Sequence, residues 1–193
     1  MNKLTRKDLL SLERYAAERN DFRARVLAHK KARHVALGAN AALLFEDRTT
    51  VQYQVQEMLR IERIFEPGGI QEELDAYNPL IPDGSNLKAT LLFEYPDPAL
   101  RAERLRQLAD IEHRVYADVA GQPRIFAHAD EDLGRSNEEK TSAVHFLRFE
   151  FPAAAVTALR AGAALSFGID DPRLSVDTPV SGDTRAALLA DFA

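Results

Sequence analysis

The sequence predicts an α+β protein, with a mixed, mainly antiparallel sheet and two long helices packed on one face. Three observations carry this. Apolar residues recur at helical spacing over residues 49–65 and 98–119. Strict alternation marks strands at residues 88–95 and 141–151. Glycine, proline and asparagine punctuate the intervals, so most strands are joined by hairpins or single helices.

Residues 5–25 read as a helix, with Thr5 as its cap and Asp8 in the third position. Leu9, Leu12, Tyr15 and Ala16 form its apolar stripe. A basic run follows: His29, Lys30, Lys31, Arg33 and His34. The plain reading is a solvated helix end, where cations are favoured. Phosphate or anion binding is the sharper reading, but no interleaved aromatic or glycine-rich loop supports it. Residues 35–37 and 41–45 flank Gly38-Ala39-Asn40, a hairpin signal.

The helix over 49–65 ends at Pro67-Gly68-Gly69. Residues 70–77 form a short helix with Glu72, Glu73 and Asp75 on a solvated face. Pro79, Pro82 and Asp83-Gly84 then force a turn. In the strand over 88–95, Ala89, Leu91, Phe93 and Tyr95 share one side. Pro98 suits the first turn of the second long helix, whose arc holds Leu100, Leu105, Leu108, Ile111, Val115 and Val119.

Residues 124–128 give a short strand and 131–140 an acidic loop. In the strand over 141–151, Ala143, His145, Leu147, Phe149 and Phe151 share a face. A helix over 152–161 and a strand over 164–169 follow. Beyond them the composition turns polar, which predicts a single domain over 1–172 and a partly flexible tail over 173–193, helical in part at 185–192.

The 193 residues suffice for one sizeable core, and 46% hydrophobic with 28% charged content is ordinary for a soluble globular protein. A net charge of −5 argues against a dedicated nucleic-acid partner. The chain has no cysteine, which removes disulfides, cysteine nucleophiles and thiolate-bound iron–sulfur clusters. Any metal must be held by His, Asp and Glu. No apolar run reaches a membrane span and the N-terminus lacks a signal-peptide core, which places the chain in the cytoplasm. Self-association is left open.

Two carboxylates and one imidazole stand on faces that should be apolar. At about 100° per residue from Val51, Glu62 falls at roughly 20°, inside the arc of Val55, Met58 and Phe65. Glu112 falls inside the arc of the second long helix, and His145 is the one polar group on its strand face. The bland reading makes them structural: ion pairs with arginines such as Arg60, Arg63 or Arg148, and a hydrogen-bonded core histidine. The sharper reading joins Glu62, Glu112 and His145 as ligands for non-haem iron or manganese, with Glu62, Arg60 and Tyr53 contacting a small molecule. Asp110 and His113 sit outside the arc, and Asp110-x-x-His113 is a single imperfect copy of a motif that needs two.

The strings ALLFEDRTTVQYQVQEMLRIERIFEPGGIQEELDAYNPLIPDGSNLKATLLFEY and ADEDLGRSNEEKTSAVHFLRFEF resemble a bacterial family of uncharacterised proteins of similar length. The resemblance covers nearly the whole chain, to about Asp170. Its members are similar in being often encoded beside a rubrerythrin-like protein and an iron–sulfur oxidoreductase. That neighbourhood implies a role in redox or peroxide stress and those two proteins as partners, and it implies no catalytic residue.

The expectation is therefore a non-catalytic binding or accessory protein linked to redox or oxidative-stress metabolism. No nucleotide loop, triad or zinc signature argues otherwise. The alternative is a metal-dependent or carboxylate-using enzyme acting on a small molecule.

Overall fold

The computed structural model describes residues 2–129 and 141–193. The expected acidic loop at 131–140 lies outside them. Thr5 caps a single 3-10 turn, Arg6–Asp8, and Asp8 Oδ2 accepts from the Thr5 amide at 2.7 Å and its hydroxyl at 2.8 Å. The capping pair is as expected, but the helix is not continuous with it. A second cap, Ser11, accepts from the Arg14 amide and starts α1, Leu12–Lys31.

The hairpin of β1 (His34–Ala36) and β2 (Ala41–Phe45) turns at Gly38, whose φ of +75° suits glycine. Asp47 caps α2, Arg48–Ile61, in a reciprocal pair with Thr50. Then come α3 (Pro67–Tyr77), β3 (Asn86–Phe93) and α4 (Pro98–Gln107).

Here the second long helix expected over 98–119 is corrected. The chain leaves helical geometry at Leu108, passes through a left-handed Asp110 (φ +63°), makes a 3-10 turn at Ile111–Arg114 and enters β4, Val115–Val119. Residues four apart share a side in both a helix and a strand. Val115 and Val119 therefore fitted the helical arc while belonging to a β-branched strand. The two longest helices are α1 and α2, which pack on one another.

The remaining elements are β5 (Ile125–Phe126), β6 (His128–Ala129), β7 (Val144–Glu150), α5 (Ala153–Arg160), β8 (Leu165–Ile169), β9 (Val176–Val180) and α6 (Gly182–Leu189). The α+β class and antiparallel pairing stand, but the sheet is two sheets. One has the order β1-β2-β3-β7-β6 and the other β5-β4-β8-β9.

The sheets share one core. Phe45, Phe149 and Phe167 meet at its centre, with Phe167 at 4.8 Å from Phe45 and 5.3 Å from Phe149 between ring centroids. The sheets also join at two margins. The chain passes from β5 to β6 through buried Ala127, whose amide donates to Val115 O at 2.9 Å. At the other margin the Thr178 hydroxyl on β9 donates to Ala36 O on β1 at 2.7 Å. A second, smaller core holds Val51, Val55 and Leu59 of α2 with Leu4, Leu74 and Ile81.

Residues 173–193, expected as a partly flexible tail, form β9 and α6, and α6 overlaps the helix expected at 185–192. β9 pairs with β8 along its length, while Leu188 and Phe192 enter the main core. The polar residues that suggested a tail alternate along an edge strand, where Pro179 is tolerated.

Candidate functional site

The 3-10 turn between α4 and β4 places Glu112 inside the protein at 2% exposure, and β7 places His145 at 0%. Thr141, 1% exposed, lies between them. Its hydroxyl donates to Glu112 Oε2 at 2.8 Å and meets His145 Nε2 at 2.7 Å. His145 Nε2 also lies 3.0 Å from the Ser142 carbonyl and 3.8 Å from Glu112 Oε2. With Glu112 ionised, the donors have one consistent order. A carboxylate and a carbonyl only accept, so Thr141 gives its proton to Glu112 and Nε2–H donates to Thr141 Oγ1 and Ser142 O. The Phe93 ring meets the imidazole edge-on.

Glu112 and His145 are thus brought together, and Glu62 is not. Glu62 is the exposed C-cap of α2 (φ −81°, ψ −5°), followed by a left-handed Arg63 at φ +55°. The helical phase was sound for Val51 and Val55, but the helix ends before its next buried turn. Ile61 and Phe65, 58% and 71% exposed, are left outside with Glu62.

The acid of α2 that does face inward is Glu57. Arg19 donates to it with Nε and Nη2, both at 2.8 Å, and the Tyr15 hydroxyl donates at 2.7 Å. The Arg19 hydrogen bonds, outweighing burial, draw the Glu57 carboxyl down to about 2. Burial, with the Glu57 charge, pushes the Tyr15 phenol well above its usual range. Arg60 reaches the same carboxylate at 3.3 Å, and Tyr53 stacks on Phe22. Arg60 and Tyr53 therefore belong to the α1–α2 interface, apart from any site at Glu62.

The basic run is divided in the same way. Arg33 is buried at 4% exposure, held by Asp191 and Asp47, and His29 contacts Asp47. Arg33 and His29 thus turn to internal carboxylates, which takes two of the five residues from any anion-binding role of that run.

Beside Glu112, the exposed Asp110 and His113 complete a group whose ligand-type atoms all lie within 4.8 Å of one another. These are residue types that hold iron or manganese. They are the pair that sequence spacing set aside as coincidence.

A groove of about 580 Å³ opens nearby, lined by Asn40, Tyr95, Arg104, Gln107, Leu108, Arg173 and Leu174. Its polar lining is cationic, amide and phenolic. No sequence signal marked it, because it gathers residues from four distant segments. Arg173 is clamped by Asp171, with Nε and Nη2 donating at 2.7 and 2.8 Å. That clamp holds the Asp171 carboxyl at about 2.

The pattern of a protein family described as a protein of unknown function matches residues 3–192. A solved crystal structure of a novel protein of unknown function from Burkholderia pseudomallei K96243 is 51% identical, covers 100% of both chains and superposes with a TM-score of 0.94. Among curated proteins none matches the chain.

Proposed function

The chain belongs to the DUF3501 family, and from that premise we propose that it is a non-catalytic binding or accessory protein serving redox or oxidative-stress metabolism in the cytoplasm. One observation carries the binding half of this reading. Among the described residues the groove is lined by arginine, amide, phenol and leucine side chains, with neither carboxylate nor imidazole. Such a lining recognises a ligand but has no general base for ordinary pH. Glu112, Thr141 and His145, the acid, hydroxyl and imidazole of the interior cluster, are buried against one another.

The redox half is supported by the resemblance to a family encoded beside rubrerythrin-like and iron–sulfur oxidoreductase proteins. Without cysteine the chain would serve such partners and not carry a thiolate-bound cluster itself. Affinity purification of the tagged chain from its native host tests this. The expected eluate contains one of those two proteins. An eluate lacking both, from cells that express them, counts against the redox assignment.

A second reading has its own observation, the cluster of Asp110, Glu112 and His113. In it the chain is a non-haem iron or manganese enzyme acting on a small molecule, with Glu112 backed by Thr141 and His145. Elemental analysis of protein purified without chelators decides it. A stoichiometric metal lost in His113→Ala favours the enzyme; metal-free protein after growth in excess iron and manganese sinks it.

A further inference from the structure

The groove brings two guanidinium groups to one residue. Arg104 Nη1 donates to the side-chain oxygen of Gln107 at 3.0 Å, and Arg173 Nη1 donates to its backbone carbonyl at 3.0 Å. Two like charges anchored on one residue are stabilised by an anion lying between them. Asp171 neutralises one of them from the side. Its fork takes Nε and one Nη2 proton of Arg173, leaving one N–H on each terminal nitrogen. Arg104 makes a single side-chain bond and stays exposed. The pair therefore carries spare, preorganised donors of the planar kind that match a carboxylate.

The charge balance narrows the ligand. Asp171 offsets one of the two arginines, and Asp110 and Glu112 act on Arg173 as well, so little positive charge is left over for a ligand. A singly charged head suits that balance better than a dianionic phosphate. Beside the arginines and the amides Asn40 and Gln107, the lining is apolar or aromatic: Leu108 buried, Tyr95 and Leu174 half-buried. The volume is that of a small-molecule site.

We propose that this groove binds a small amphipathic monoanion, an organic carboxylate whose head lies between Arg104 and Arg173 and whose aromatic or aliphatic body lies on Tyr95, Leu108 and Leu174. It rests on the binding-protein reading and names the ligand class for it. Asn40 and Gln107 supply neutral donors at the rim.

The test is ligand-observed NMR and calorimetry on the full chain with benzoate, octanoate and phenyl phosphate. At least one carboxylate saturates, with a Kd on the order of 1 mM, as expected for so small a probe. Arg104→Ala and Tyr95→Ala each weaken it by about 5-fold or more, while circular dichroism shows both variants folded. Arg104 is chosen over Arg173 because its partner Gln107 is exposed whereas Asp171 is buried; Tyr95 packs partly against the main core, so the check of its fold is essential. The inference is overturned if neither carboxylate saturates, if phenyl phosphate binds more tightly than both, or if both variants bind as the wild type does. Failure here with a redox partner still captured removes the ligand class and leaves the binding reading. Turnover of a bound carboxylate does the reverse.

Discussion

Arg33 and Asp191, 158 residues apart in sequence, hold one another through two hydrogen bonds of 2.8 and 2.7 Å. Both are buried, and the pair fastens the last turn of the chain to the start of the first hairpin. Burial pushes the Asp191 carboxyl above its usual range, against the pull of Arg33. Removing one partner strands a charge inside, so Arg33→Met costs about 3–5 kcal/mol in urea unfolding. The double variant Arg33→Met, Asp191→Leu recovers more than about 1 kcal/mol of that loss. Equal stability of the single and double variants would contradict the coupling.

Glu57 ties stability to acid. Its folded-state pKa is depressed to about 2, so its contribution is full above the unfolded value near 4.5 and disappears as pH falls towards 2. Glu57→Gln lowers stability at neutral pH by about 1–2 kcal/mol. It also flattens the stability profile between those two pH values. Urea midpoints across that range, for both proteins, check the sign.

Glu62 supplies the opposite case. It stands exposed at a helix C-terminus, where negative charge is unfavourable. Its charge also adds to the burial that raises the Glu73 carboxyl. Glu62→Lys is therefore neutral or stabilising by up to about 0.5 kcal/mol. A thermal-melt loss of several degrees would show that Glu62 has an internal role.

Thr141 is the bridge of the buried cluster. Thr141→Val keeps the shape and removes the hydroxyl between Glu112 and His145, at a cost of about 1–3 kcal/mol. The His145 ring nitrogen resonances shift in the NMR spectrum. Unchanged resonances in a folded variant would refute the hydrogen-bond order given above.

Gly168 on β8 has a steric reason. A Cβ there would come within 2.4 Å of both the Tyr116 hydroxyl and Val176 O. Tyr116 is fixed by its bond to Asp177 and by Arg124 over its ring at 4.2 Å, so it gives way poorly. Gly168→Ala destabilises by about 1–3 kcal/mol in equilibrium unfolding, and Ser166→Ala, half-exposed on the same strand, by much less.

Local signals were legible in the sequence where one period dominated. The alternation of His145, Leu147 and Phe149 is the buried face of β7, with buried Phe151 just beyond its end, and Gly38 does turn the first hairpin. The stretch after Leu108 was not legible, because a spacing of four fits both helix and strand. Glu112 was correctly placed inside, though on a 3-10 turn and not an α-helix. Glu62 failed because wheel phase says nothing about where a helix stops; the left-handed Arg63 decides that. The Arg33–Asp191 pair and the groove depend on residues too distant in sequence for any local pattern.

The passage through Ala127 and the clasp of Thr178 on Ala36 leave neither sheet free to peel from the other. Opening one margin still leaves the aromatic centre sandwiched by the second. Backbone protons of β3, β4, β7 and β8 should consequently reach solvent only when the whole assembly comes apart, in one all-or-none event shared by strands of two separate sheets.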